Sequence, residues 1–111
     1  MNLTEFQQEV AGWSKMNFPN GKKYQPLLGV GEEVGELMHA HLKHEQKIRG
    51  MEDNKVASAA KMDAIGDIVI YLADYCARNG LSLNTCVFKT WQDVKLRNWL
   101  VDKLEGREKG D

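Results

Sequence analysis

Two groups of acidic residues, about 30 positions apart, are the part of this sequence best suited to chemistry. The first group is Glu32, Glu33 and Glu36, and the second is Asp63 and Asp67. Carboxylates three or four residues apart lie on one face of a helix. Two such faces brought together would surround a hard divalent cation with oxygen ligands. The spacing therefore indicates a metal-dependent enzyme that acts on phosphates.

The second acidic group lies on a stripe that is not purely polar. At helical spacing, Asp63, Asp67 and Asp74 share one narrow stripe, which also carries Ile70 and Tyr71. A solvated face seldom holds an isoleucine and a tyrosine among three aspartates. We therefore expect other helices or a second subunit to cover it. The glutamates of the first group span an arc of roughly 100°, which alone is typical of an exposed face.

Covered carboxylates need a counter-charge. Carboxylates of like charge repel one another and are costly to desolvate unless a cation neutralises them. Oxygen ligands without an accompanying Cys or His cluster favour Mg²⁺ or Mn²⁺ over zinc. Because Mg²⁺ takes one or two carboxylates together with substrate phosphates, the expected cation would bridge the protein and a chain of phosphates.

Helical periodicity dominates the chain and predicts the elements that must position these residues. Four helices are expected, with bounds close to 3–17, 26–48, 56–78 and 82–104. Asn79-Gly80 is a strong stop signal for the third helix, and Ser82 is the expected cap of the fourth. Short connections between four helices predict one all-α domain over residues 1–111, a four-helix bundle, in which residues 105–111 fray.

Composition excludes several classes of function. The chain has 111 residues, with 15 basic and 16 acidic side chains, so no broad field attracts nucleic acid or a membrane. Its most apolar run, residues 68–72, is too short to cross a bilayer. No signal peptide is visible, and the cytoplasm is the expected compartment. Cys76 and Cys86 lack a metal or redox spacing, and Cys76 is expected to be a buried, reduced thiol. A chain this short leaves much surface exposed, which favours association with a second copy.

The order of the two motifs carries a family resemblance. Glu-Glu-x-x-Glu-Leu over residues 32–37, followed by Asp-x-x-Gly-Asp-Ile-x-x-Tyr-Leu over residues 63–72, resembles the MazG-type all-α nucleotide pyrophosphohydrolases, particularly their small single-domain branch. The likeness runs from the first helix through residues 91–99. It implies an α-helical bundle that assembles as a homodimer or homotetramer. It also implies Mg²⁺-dependent cleavage of nucleoside triphosphates to a monophosphate and pyrophosphate, in the service of nucleotide-pool sanitation.

The resemblance also implies a ligand set for the metal. The family motif is Glu-x-x-Glu followed, after a spacer, by Glu-x-x-Asp. Glu33 and Glu36 match its first half, and Asp67 matches its last residue. Ala64 stands where the family usually has glutamate, and Asp63, four residues before Asp67, faces the same way and would supply the missing carboxylate. The alternatives are a site with one ligand fewer or weak catalysis.

We expect the three glutamates of the first group to be the catalytic residues. Glu33 and Glu36 are expected to act through the metal they hold. Glu32 is either an outer ligand or the base that activates water, and the sequence leaves both roles open. The expected reaction is attack by water that cleaves between the α- and β-phosphates.

Four further residues are predicted to bind substrate: Lys95, Arg97, Trp91 and Asp74. The family often has a basic stretch near residues 95–97 that contacts phosphates, although cations near a helix end are also favoured by its dipole. Trp91 could stack on a nucleobase. Asp74 could bind a sugar hydroxyl, orient a basic residue or pair across a subunit interface. Trp13 is expected in the core instead.

Two other classes of protein remain open. The alanine at position 64 is compatible with a helical partner-binding protein that kept the fold and lost activity. Glu36-x-x-His39 has the spacing found in di-iron carboxylate bundles, but those proteins need the motif twice, and the third helix has no histidine.

Overall fold

The computed structural model describes residues 1–107, which form four α-helices and no strand. The helices are α1 (Leu3–Asn17), α2 (Gln25–Gln46), α3 (Asn54–Arg78) and α4 (Leu83–Val94). The prediction of an all-α fold is confirmed.

Side-chain caps explain why three helices begin where they do. The side chains of Asn2, Asp53 and Ser82 accept hydrogen bonds from backbone N–H groups in the first turns of α1, α3 and α4. In α2, Pro26 occupies the first turn, where its missing N–H costs nothing. The residue after α2, Lys47, adopts the left-handed conformation and ends the helix.

The fourth helix is shorter than predicted, because it ends at Val94 rather than near residue 104. Two polar side chains account for the difference. The side chain of Asn98 accepts a hydrogen bond from the backbone N–H of Leu100, and that of Asp102 accepts one from the N–H of Leu104. Such local bonds satisfy the backbone in turns and compete with helix formation.

Residues 105–111 are predicted to fray. Of these, the structure describes residues 105–107, and the rest lie outside the described residues. Gly106 is buried and has a positive φ of 73°, and a Cβ atom there would meet the side chains of Arg97 and Trp99. Arg107 pairs with Asp93 at 2.6 Å. Residues 105–107 therefore return toward the end of α4.

The third helix is the centre of the fold. α2 and α3 form a helical hairpin with the most extensive packing in the molecule, whereas α1 packs on another part of α3, and α4 packs on both α1 and α3. In the part of the chain that the structure describes, α2 packs against neither α1 nor α4. The molecule is thus two helical layers that share α3.

Small residues build much of the buried interior. Ala40, Ala57 and Ala64 are buried on the two helices of the hairpin. A second cluster forms where α1, α3 and α4 meet, from Val10, Ala73, Cys76 and Leu83, with Leu3, Phe6, Val69 and Leu72 packed against it. The Tyr71 ring lies directly on Gly29, where any Cβ atom would overlap it. This contact brings α3 close to the start of α2.

Large apolar side chains remain exposed on every layer. Examples are Leu28, Met38, Met62, Phe88 and Leu100. The radius of gyration is 17.8 Å, against about 13 Å expected for a compact domain of this length. The single chain is therefore an open arrangement of helices whose apolar surface is only partly covered.

Within residues 1–107, none of the helices combines the length and apolar character needed to cross a membrane.

Candidate active site

A groove of about 710 Å³ opens where the end of α1 and the start of α2 face α3. The side chains and backbone that line it belong to Trp13, Phe18, Gly21, Gln25, Pro26, Leu28, Gly29, Glu32, Glu33, Asp67, Ile70, Tyr71, Asp74 and Arg78. Because α1 does not pack on α2, both helices leave their facing sides available to a ligand. The groove combines carboxylates with aromatic and aliphatic walls.

Three of the five predicted acidic residues line this groove. Glu32 and Glu33 line it from α2, and Asp67 lines it from α3. Partial burial raises the pKa of the Glu33 carboxyl above its ordinary value, and the charges of Asp67, Glu32 and Glu36 raise it further. Among the described residues, none of these carboxylates forms an ion pair with a Lys, Arg or His side chain. The carboxylates therefore create an uncompensated negative field at one end of the groove.

Tyr71 belongs to the same acidic cluster. The pKa of its hydroxyl is raised by burial and then by the nearby carboxylates, which are those of Glu32, Glu33, Asp67 and Asp74. The hydroxyl therefore keeps its proton at neutral pH and can donate a hydrogen bond among acceptors. The sequence marked Tyr71 only as an unexpected apolar residue on the aspartate stripe, and not as part of the site.

The carboxylate oxygens in the groove are the type of ligand that a hard cation prefers, but they do not surround a single point. Within residues 1–107, no three His, Cys, Asp or Glu side chains gather around one point where a metal ion would be held. The carboxylates from two helices nevertheless face a common groove. Mg²⁺ is usually bound through one or two carboxylates, waters and substrate phosphates. Glu33 and Asp67 are the two carboxylates that would serve in that mode of binding.

Glu36 and Asp63 stand apart from the groove lining. Glu36 is exposed, and it reaches the site only through its charge on Glu33. Asp63 is exposed, and it neither lines the groove nor contributes to the raised pKa of Glu33. Its neighbour Ala64 is only 3% exposed and occupies the buried side of α3. Position 64, where this chain has alanine and the resembled family usually has glutamate, is therefore buried within a single chain.

Asp74 orients a basic residue, one of the three roles left open by the sequence. It is 7% exposed and accepts hydrogen bonds from the Ser14 hydroxyl at 2.8 Å and from Arg78 Nε at 3.0 Å. The Arg78 guanidinium also donates to Ser14 Oγ and to the carbonyl oxygens of Phe18 and Gly21. This network fastens the α1–α2 connection to α3 and thereby shapes one end of the groove.

Sequence reasoning missed two members of this network, Ser14 and Arg78. A signal was present for Arg78, since Asp74 and Arg78 have the i, i+4 spacing of a helical ion pair. Ser14 is buried on the packed face of α1, where a hydroxyl needs a partner. Its partner is 60 residues away, and no local pattern identifies it.

The expectation that Trp13 lies in the core is wrong. Its side chain is 51% exposed and packs edge to face against Phe18, with ring centroids 5.8 Å apart. The reason is that Val10 and Ser14 provide the packed face of α1, while α2 does not cover the neighbouring side. Both rings instead form an aromatic wall of the groove.

The predicted residues of the fourth helix lie outside the groove. Trp91 is exposed, Lys95 directly follows the last residue of α4, and Arg97 pairs with Asp93 at 3.0 Å. Because α4 does not pack on α2, one chain does not bring these side chains to the carboxylates of α2.

No protein-family model, curated protein or solved structure matches this chain. The all-α class rests on the observed helices.

Proposed function

We propose that this chain is a Mg²⁺-dependent nucleoside triphosphate pyrophosphohydrolase of the MazG-like, all-α type. It would cleave (d)NTP to (d)NMP and pyrophosphate and so remove unwanted nucleotides from the pool. The observation that carries the proposal is the meeting of Glu32, Glu33 and Asp67 in one groove with aromatic walls. The order of the acidic motifs along the sequence supports the same class of enzyme.

The acidic residues divide into those that hold the cation and one that handles a proton. Glu33, Glu36 and Asp67 would hold Mg²⁺, with Mn²⁺ as a substitute, and Asp63, one turn before Asp67 on α3, would be the fourth ligand. Bound Mg²⁺ neutralises phosphate charge and lowers the pKa of water. Glu32 lies in the groove beside Glu33, and it would accept the proton of the attacking water.

The remaining groove residues suit a nucleoside. Trp13 and Phe18 offer aromatic surface on which a base can stack. The Tyr71 hydroxyl can donate to a phosphate or sugar oxygen beside the carboxylates. Asp74 is already occupied by Arg78 and Ser14 and would act on substrate only through them.

A second copy of the chain would supply what one chain leaves out. Trp91, Lys95 and Arg97 are exposed or half-buried and lie away from the groove of their own chain. In a homodimer or homotetramer, their cations could neutralise the triphosphate bound to a neighbouring copy. The exposed apolar surface of α2, α3 and α4 is the surface available for such assembly.

The test is pyrophosphate release from a panel of natural and modified (d)NTPs with and without Mg²⁺. The wild type should release pyrophosphate only with the cation, and Glu33→Gln and Asp67→Asn should lower kcat/KM by about 10²-fold or more. Glu9→Gln, an exposed glutamate on α1 outside the groove, is the matched control and should retain activity. Absence of Mg²⁺-dependent release from every nucleotide would contradict the proposal.

A second candidate is an inactive helical protein of the same fold that binds a partner. The observation that favours it is the buried Ala64 beside an exposed Asp63. Of the two α3 carboxylates that line the groove, Asp74 is paired with Arg78, which leaves Asp67 alone to face a cation. Calorimetric titration with Mg²⁺ separates the two candidates. The enzyme should show a site that is lost in Glu33→Gln, whereas the inactive protein should show none.

A further inference from the structure

The two cysteines, which have no recognisable spacing in the sequence, lie on facing helix ends. Cys76 is in the last turn of α3 and Cys86 is in the first turn of α4, and both are free thiols. Cys76 packs with Leu83 in the cluster between α1, α3 and α4. Because Leu83 and Cys86 are three residues apart on one helix, they share a face. Cys86 therefore lies on the side of α4 that turns toward Cys76.

The connection between the two helices is held in place by hydrogen bonds. The backbone N–H of Leu81 donates to the carbonyl oxygen of Cys76 at 2.8 Å. The Gln7 side chain on α1 donates to the carbonyl of Leu81 and accepts from the N–H of Leu83 at 2.7 Å. The first turn of α4 is thus fixed beside the last turn of α3.

The two thiols differ in accessibility. Cys76 is buried and Cys86 is exposed. Burial raises the pKa of the Cys76 thiol, and the nearby Cys86 thiol raises it further. Since the thiolate is the reactive form, an incoming reagent meets Cys86 first and Cys76 only afterwards.

We propose that Cys76 and Cys86 form a redox modification site, at which a low-molecular-weight disulfide such as oxidised glutathione links α3 to α4. The exposed Cys86 thiolate attacks one sulfur of the reagent, which forms a mixed disulfide and releases one glutathione thiolate. Cys76 then loses its proton and attacks the Cys86 sulfur, which forms the internal disulfide and releases the second glutathione. Two protein thiols are oxidised, one glutathione disulfide is reduced, and the two protons leave with the two glutathione molecules.

The link would stabilise the least supported helix. α4 has shallow packing on α1 and α3, and its outward residues Phe88 and Trp91 are exposed. A covalent bond between its first turn and α3 restricts the unfolded chain and opposes detachment of α4. The site would therefore couple the redox state of the surroundings to the attachment of α4, independently of any activity in the groove.

The test is incubation of the full chain with oxidised glutathione, followed by intact-mass measurement and thiol counting. The wild type should lose two hydrogen atoms and both free thiols and keep no glutathione. Its midpoint of thermal unfolding should rise by about 5 °C or more and return to the starting value with a reducing agent. The reaction should accelerate with pH as the Cys76 thiol deprotonates.

Two single variants make the result decisive. Cys76→Ser should retain one glutathione on Cys86, and in folded Cys86→Ser the remaining thiol should resist both glutathione and an alkylating reagent. A wild type that keeps glutathione on Cys86 would overturn the proposal, as would disulfide-linked dimers through Cys86. Because both variants are read by mass on protein whose helical content is checked first, a folding defect in one leaves the other informative.

Discussion

At the scale of single residues, the groove contains two kinds of carboxylate, one that is paired with a cationic side chain and others that are not. The carboxylate of Asp74 is compensated by Arg78 and by the Ser14 hydroxyl. Those of Glu33 and Asp67 are not compensated by any cation within residues 1–107. The first arrangement stabilises the fold, whereas mutual repulsion in the second opposes it. Under the proposed function, a bound cation would supply the missing charge.

The compensated pair leads to a prediction about stability. Asp74→Asn preserves the shape of the side chain but leaves the guanidinium of Arg78 without its counter-ion in a mostly buried place. Removing one partner of such a pair should lower the free energy of unfolding by about 2–4 kcal/mol. Urea denaturation measures the loss. Asp93→Asn breaks the solvent-accessible ion pairs of Asp93 with Arg97 and Arg107 and should cost only about 1 kcal/mol or less. Equal, small losses in both variants would contradict the structural role of the network.

The uncompensated carboxylates lead to a prediction about pH. The folded-state pKa of Glu33 is above its ordinary value of 4.5, so the folded chain keeps this proton to a higher pH than the unfolded chain does. Between the two pKa values the folded state binds more protons, and the stability contributed by Glu33 falls as pH rises. Without divalent cation, Glu33→Gln should therefore unfold at a higher denaturant concentration than the wild type at pH 7. The difference should shrink as the pH falls below 4.5.

Magnesium and a control variant complete this experiment. Added Mg²⁺ should stabilise the wild type and leave Glu33→Gln almost unchanged, since the variant lacks a ligand and part of the repulsion. Glu9→Gln, on the exposed face of α1, should behave like the wild type in every condition. A wild type that is more stable than Glu33→Gln at pH 7 without cation would show that the carboxylates do not repel one another as described.

At the scale of the helices, local chemistry accounts for most starts and stops, and tertiary packing accounts for the differences from the predictions. The caps Ser82 and Asn79-Gly80 are readable in the sequence because they act within a few residues. The early end of α4 depends on the local bonds of Asn98 and Asp102, which the apolar periodicity conceals. The exposure of Trp13 depends on which helices cover α1, and no spacing within α1 contains that information.

The same contrast holds for the site. The meeting of α2 and α3 carboxylates in one place could be predicted, and Glu32, Glu33 and Asp67 line one groove. Helical spacing alone also puts Glu36 and Asp63 on these faces, and neither of them lines it. The partnership of Ser14 with Asp74 could not be predicted, because it joins residues 60 positions apart.

The approach of α2 to α3 leads to a prediction about two glycines. Gly29→Ala would place a Cβ atom inside the Tyr71 ring, so the helices must separate or the ring must leave its place. We expect a loss of about 1–3 kcal/mol in the free energy of unfolding. Gly31→Ala is the matched control, because it is two residues away in the same helix with open space around it. It should stabilise the protein by about 0.5–1 kcal/mol through helix propensity. Thermal and urea denaturation of both variants test the contrast, which a destabilised Gly31→Ala would contradict.

At the scale of the whole molecule, the open arrangement of helices predicts self-association. The radius of gyration of 17.8 Å and the exposed apolar side chains describe a chain that leaves much of its apolar surface in water. We expect light scattering coupled to size exclusion to give a mass of two or four times 12.6 kDa at micromolar concentration. An interface of roughly 1,200 Å² or more would be needed for a stable pair. A mass of one chain at all concentrations would contradict this expectation.

The central position of α3 has a consequence for how the molecule comes apart. Within residues 1–107, α2 packs on no helix except α3, and the Arg78 network is a separate link between α3 and the α1–α2 connection. The hairpin and the α1–α4 layer can therefore open one at a time. A nucleotide in the groove would contact both layers at once and would fasten them together. The ligand would then stabilise the packing of the two layers, and its release would make the helices around the groove more mobile.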